Sequence, residues 1–165
     1  MDFSERNLHD VNKRDPLKTI TFTPIGIFHS PLKNLKDVPI QFSMSEITGK
    51  IEICQEYSPG LKDLNGFSHI YCIYLFDLIK LPVPMQSKPF LDNEKKGVFS
   101  MRTPFRPNPI GLSILEINKI IDNFIFVKNV DILDQTPILD LKPYVSEFDY
   151  IPSSRSGWLN GKIRK

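Results

Sequence analysis

Cysteine, histidine and tryptophan are scarce in this sequence: two, three and one among 165 residues. Cys54 and Cys72 sit in no C-x-x-C or other metal-ligand spacing. His9, His29 and His69 match no zinc pattern, so no metal site is expected. Both cysteines lie in apolar, strand-like runs and read as buried free thiols. No apolar stretch approaches the length of a membrane span. Residues 1–18 are polar and lack the apolar centre of a signal peptide, so a cytoplasmic protein is expected. An excess of one charge is missing too. The 21 basic and 19 acidic residues give a net charge of +2, which neither demands nor forbids nucleic acid. The common nucleotide signatures are absent. No G-x-G-x-x-G follows a strand, and no Lys-Ser/Thr follows Gly66, which argues against a Rossmann site and a phosphate loop. Without G-x-S-x-G, a Ser-His-Asp triad has no local support.

What the chain does have is proline, strand-forming residues and a sufficient core. Hydrophobic residues make up 41% of a length that suits one domain. Residues 1–18 read as a flexible arm and residues 19–165 as a single domain with a polar tail. Alternating apolar residues predict strands over 19–29, with a bulge at Pro24, and over 49–55, half solvated. Residues 58–66 carry a short helix's marks: Ser58 as cap, Pro59 at the first turn, Gly66 as left-handed stop. Residues 67–76 read as a central strand, with His69 as a core histidine in mid-strand. Residues 80–96 read as a long mobile loop. Strands follow over 110–121 and 124–132 about an Asp122-Asn123 turn, and over 138–145. Six or seven strands with almost no helix predict a closed all-β barrel, because closure removes exposed edges.

The most constrained stretch is 97–113. Pro104, Pro107 and Pro109 fix φ and lack an N–H, and the residues before them are pushed out of the helical region. A stiff loop therefore holds Arg102 and Arg106, and rigid guanidinium groups lose little entropy on binding. The same prolines also suit a purely structural turn. Asp134, in a second proline-stiffened loop, can accept hydrogen bonds from a ligand amine or ribose, or cap its own turn. The residues alone point to a polar small-molecule or nucleotide ligand and stop short of a reaction.

The stretch Gly97-Val98-Phe99-Ser100-Met101-Arg102-Thr103-Pro104-Phe105-Arg106-Pro107-Asn108-Pro109-Ile110-Gly111-Leu112-Ser113 resembles the pattern G-V-F-x-T-R-S-P-x-R-P-N-P-I-G-L-S of the TsaA-like, or TrmO-type, tRNA methyltransferases. Four further blocks match in order: residues 26–31, 38–41, 60–69 and 130–144. The resemblance implies a β-barrel that binds S-adenosylmethionine without a Rossmann fold, usually as a homodimer. It implies N6-methylation of threonylcarbamoyl-adenosine beside the anticodon of threonine tRNAs. By matching position, cofactor contacts would come from Gln41, Phe42, Ser43, Phe76, Asp77, Arg102, Lys128, Asp134, Gln135, Thr136 and Pro137. Arg106 and Asn108 are the candidates for orienting the substrate, and either can instead brace the loop. Three positions depart from the pattern. Met101 replaces a Thr, Asp77 a common His, and Gln135 the Gly of a D-G-T-P turn. Two other readings stand beside this one. The first is a same-fold methyltransferase acting on another RNA or a small metabolite. The second is a non-catalytic binding module that keeps the fold and has lost cofactor binding.

Overall fold

The computed structural model describes residues 15, 17–41, 43 and 45–162. Most of the expected N-terminal arm (residues 1–14 and 16) and Phe42 lie outside the described residues. In chain order the strands are β1 (Gly26–His29), β2 (Thr48–Ile53), β3 (His69–Leu75), β4 (Gln86–Ser87), β5 (Lys96–Gly97), β6 (Ile110–Ile121), β7 (Phe124–Lys128) and β8 (Pro137–Pro143). Six of them close an antiparallel barrel in the order β1-β2-β7-β6-β3-β8, and β4 pairs with β5 apart from it.

Alternation explains closure. Ile51 and Ile53 of β2, Ile70, Cys72 and Tyr74 of β3, Leu115 of β6 and Ile125 and Val127 of β7 point inward. They meet Phe28, Val130, Ile132 and Ile138 in one core. Each of the Val, Leu, Ile and Phe side chains among them gains about 1.5–3 kcal/mol by leaving water. Gly111 is required by this packing. It faces Tyr74 across the β3–β6 ladder, and a Cβ there would sit 2.8 Å from Tyr74 Cδ2 and closer still to Cε2 and Cζ.

Several expectations need correction. The strand over 19–29 is only β1, four residues long. Ile20 and Phe22 are exposed with no partner strand, and the Pro24 bulge has no ladder to interrupt. Residues 58–66 do not form one capped helix. Two 3-10 segments, Gln55–Leu61 and Leu64–Gly66, meet at Asp63, which takes the left-handed conformation (φ 65°) expected of Gly66. His69 opens β3 rather than sitting in its middle. It is half-exposed, with Nδ1 2.9 Å from Ser68 Oγ. Cys72 is a buried free thiol, but Cys54, just past β2, is exposed. β7 ends at Lys128, because Asn129 turns the chain with φ 62°. β8 spans 137–143 rather than 138–145.

The 80–96 loop carries structure of its own in the β4–β5 pair. It is also tied to the tail. Asp92 pairs with Lys162 at 2.6 Å and with Lys96 at 3.4 Å. Trp158 Nε1 donates to the Ser100 carbonyl at 2.7 Å.

Antiparallel register decides which loops share an end. The ends of β1, β3 and β7 lie beside the starts of β2, β6 and β8: His29 opposes Lys50, Leu75 opposes Ile110, and Lys128 opposes Thr48. Ile138 opposes Tyr74 and Gly26. The 30–47, 76–109 and 129–136 connections therefore crown one end of the barrel.

Candidate functional site

Of the described cofactor and substrate candidates, all but Lys128 lie on that crowned end. The proline loop enters it after a 3-10 turn, Val98–Ser100. Met101 buries its side chain beneath the loop, which accounts for an apolar residue there. Arg102 stays exposed and its Nη1 donates to Gln41 Oε1 at 3.1 Å, joining two connections. Arg106 turns back. Its Nη1 donates to the carbonyls of Met101 at 2.8 Å and Val98 at 3.1 Å, and its guanidinium lies 5.9 Å from the Phe99 ring centre. Arg106 thus braces the loop that carries Arg102. Asn108 has an exposed side chain, while its backbone carbonyl accepts from Ile110 N at 2.7 Å and starts β6.

Phe76 follows β3. Its amide donates to Pro109 O at 2.7 Å and its ring meets Tyr74 edge-on at 5.2 Å. Asp77 beside it is exposed. Ser43 is exposed in the connection that carries Gln41.

The third element is the turn before β8. Asp134 Oδ1 accepts from Ser30 N at 3.0 Å and Oδ2 pairs with the Lys33 ammonium. Burial pushes this carboxyl up. Lys33, the Ser30 amide and Gln135 overcome that and hold it below the ordinary aspartate range. Gln135 has φ 65°, so the turn does require the left-handed conformation, and glutamine adopts it where a glycine would do so without strain. Its amide donates to Phe28 O at 2.8 Å. Thr136 Oγ1 donates to Leu133 O at 2.7 Å, and Pro137 opposes Ile27. Lys128 stands apart on the outer wall, where it pairs with Glu116 at 2.7 Å and lowers that carboxyl.

Residues 27–150 match the family described as the tRNA-methyltransferase O N-terminal domain. The chain belongs to this TrmO family. It is 48% identical over 147 residues to a probable S-adenosyl-L-methionine-binding protein of Pyrococcus abyssi, covering 88% of this chain and 79% of that one. It is 29% identical to the tRNA (adenine(37)-N6)-methyltransferase of Escherichia coli, covering 86% of this chain and 65% of that one. The crystal structure of TrmO from Pseudomonas aeruginosa superposes with a TM-score of 0.71 at 28% identity, over 86% of this chain and 63% of that chain. This chain thus spans less than two thirds of the bacterial TrmO proteins it matches.

Two features of this TrmO-type barrel were not legible from the sequence as site elements. One is a buried polar chain beneath the crown. Ser113 Oγ donates to Asp131 Oδ1 at 2.6 Å and lies 3.2 Å from the Tyr74 hydroxyl. Burial, reinforced by the Asp131 charge, pushes both the Tyr74 hydroxyl and the Cys72 thiol well up. Ser113 alternating among inward apolar residues of β6 was the available signal. The other is a cavity of about 500 Å³ on the outer wall, where Asp134 and Gln135 meet His29, Lys33, Lys50 and Phe126. A second cavity of about 430 Å³, at the opposite end around Tyr57, Leu61 and Phe67, contains none of the predicted residues. Among the described residues no group of three His, Cys, Asp or Glu side chains is placed to hold a metal ion. None of the described helices is long and apolar enough to cross a membrane.

Proposed function

We propose that this protein is an S-adenosylmethionine-dependent tRNA methyltransferase that N6-methylates threonylcarbamoyl-adenosine beside the anticodon of threonine tRNAs. The observation that carries this reading is the convergence of Gln41, Phe76, Arg102 and the 134–137 turn on one end of the barrel, in a chain of the TrmO family. The donor set fits the cofactor. Arg102 presents an exposed guanidinium for a carboxylate, Phe76 an apolar ring for an adenine, and Asp134 a carboxylate kept ionised for amine or ribose groups. When bound, the cofactor supplies an electrophilic methyl group.

The protein's own share is placement. Holding two reactants in line replaces a bimolecular encounter and supplies most of the effect. Arg106 fixes the loop through Nη1, and its remaining nitrogens are available to the threonylcarbamoyl group. Asn108, exposed on the same loop, would hydrogen-bond a base edge. The domain acts as one unit over residues 19–165, in the cytoplasm. A homodimer would cover the apolar outer wall where Ile73 and Leu75 oppose Leu112 and Ile110; sedimentation as a monomer at micromolar concentration would dismiss it.

Calorimetry with S-adenosylmethionine tests the site. Arg102→Ala should weaken binding by about 10-fold or more, the worth of a charge-assisted hydrogen bond; unchanged affinity removes Arg102 from the site. Methyl incorporation into threonine tRNA with and without the threonylcarbamoyl group tests the substrate. Equal labelling of both, or of neither, would sink that assignment.

A further inference from the structure

The outer wall of β1, β2, β7 and β6 carries a row that the cofactor reading does not use. Cross-strand register sets His29 opposite Lys50, Lys50 opposite Phe126, and Phe126 opposite Lys119. The register shift between Ile117 and Lys119 inserts Asn118 and leaves both Asn118 and Lys119 exposed on this wall. The carboxylates of the wall are engaged: Glu52 by His29 at 2.7 Å, Glu116 by Lys128, and Asp134 by Lys33. Lys50 and Lys119 are not. Among the described residues neither pairs with a carboxylate, and each lies over an aromatic face: Lys50 4.4 Å from the Phe124 ring centre, Lys119 4.9 Å from that of Phe126.

An ammonium parked on a ring is held only weakly at an exposed site. It can move to a phosphate and leave the ring open to a base. Cations flanking an aromatic ring are what a single nucleotide strand needs, since the backbone takes the charge and the base takes the π-face. The cavity of about 500 Å³ joins this row to the Asp134-Gln135 turn, so a strand lying in it would run straight into the candidate cofactor site. It is an open groove rather than an enclosed pocket, so a strand can lie along it.

We infer that this wall is the RNA-docking face, with a nucleotide flanking the modified adenosine stacked on Phe126 and its phosphates on Lys50 and Lys119. The inference rests on the tRNA reading above. It is tested on the full chain by titrating threonine tRNA over a range of KCl concentrations. The variants are Lys50→Ala/Lys119→Ala and Phe126→Leu, and S-adenosylmethionine calorimetry on each serves as a check of the fold. Removing two phosphate contacts should lower the slope of log affinity against log salt by about 1.4 and weaken binding about tenfold at moderate salt. Phe126→Leu should weaken binding about fivefold or more and leave the slope unchanged. Cofactor affinity should stay at the wild-type value in both. Wild-type slope and affinity in the double variant, where the wild type binds tRNA, would overturn the face and leave the function standing. A wild type that binds no tRNA would overturn both.

Discussion

Gly111→Ala is the sharpest probe of how the barrel is packed beneath the crown. An added Cβ would lie 2.8 Å from Tyr74 Cδ2 and nearer to Cε2 and Cζ, below the 3.0 Å that real Cβ atoms keep. The ring is hemmed in on several sides. It is 5% exposed, its hydroxyl lies 3.2 Å from Ser113 Oγ, and its edge meets Phe76. Overpacking of this kind costs about 1–3 kcal/mol. Turning the ring aside also breaks a buried hydrogen bond worth about 1 kcal/mol. We expect a loss of about 3 kcal/mol in urea unfolding, and a melting temperature about 6–12 °C lower for a chain of this size. A double-mutant cycle locates the cause. In a Tyr74→Ala background the methyl group meets empty space, so Gly111→Ala should cost less than about 1 kcal/mol there. Equal losses in the two backgrounds, or a wild-type melting temperature in the single variant, would refute the clash.

Two further outcomes follow from the 134–137 turn. A non-glycine residue in the left-handed region costs about 1–2 kcal/mol, partly offset by the greater freedom glycine has when unfolded. Gln135→Gly should therefore raise stability by about 0.5–1 kcal/mol in urea unfolding, and a lower midpoint would show that the Gln135 side chain matters more than its φ. Asp134 has a folded pKa below its ordinary value, so its stabilisation is complete above the unfolded pKa near 3.9 and is lost as pH falls through the lower folded pKa. Asp134→Asn should accordingly flatten the acid limb of a melting-temperature profile below about pH 4, and an unchanged limb would place the acid-labile groups elsewhere.

Legibility in the sequence varied with how local the cause was. β6 was found over its full span, 110–121, because proline geometry starts it, alternation runs through it, and Asp122-Asn123 ends it. The 19–29 strand failed for the opposite reason. Its alternation is real, but strand pairing needs a neighbour, and Ile20 and Phe22 have none. At 58–66 the cap signal failed, because Ser58 lies inside the first 3-10 segment and its Oγ donates to Gln55 O at 2.9 Å; the left-handed stop was right in kind and wrong in place, because Asp63 took it. Sequence could put Arg106 in a rigid loop. It could not say that two carbonyls of that loop would claim one of its nitrogens, because that depends on how the chain returns on itself. The outer row of lysines and phenylalanines was invisible for the same reason: register across three strands, not spacing along one, brings it together.

The bond from Trp158 to Ser100 has a practical consequence. Trp158 is the chain's single tryptophan, and its indole N–H ends on a carbonyl two residues before Arg102. The molecule therefore carries its own optical gauge at the edge of the proline loop. Emission from one indole, with no competing tryptophan, follows whatever orders or displaces that loop, and ligand titrations can be read on unlabelled protein.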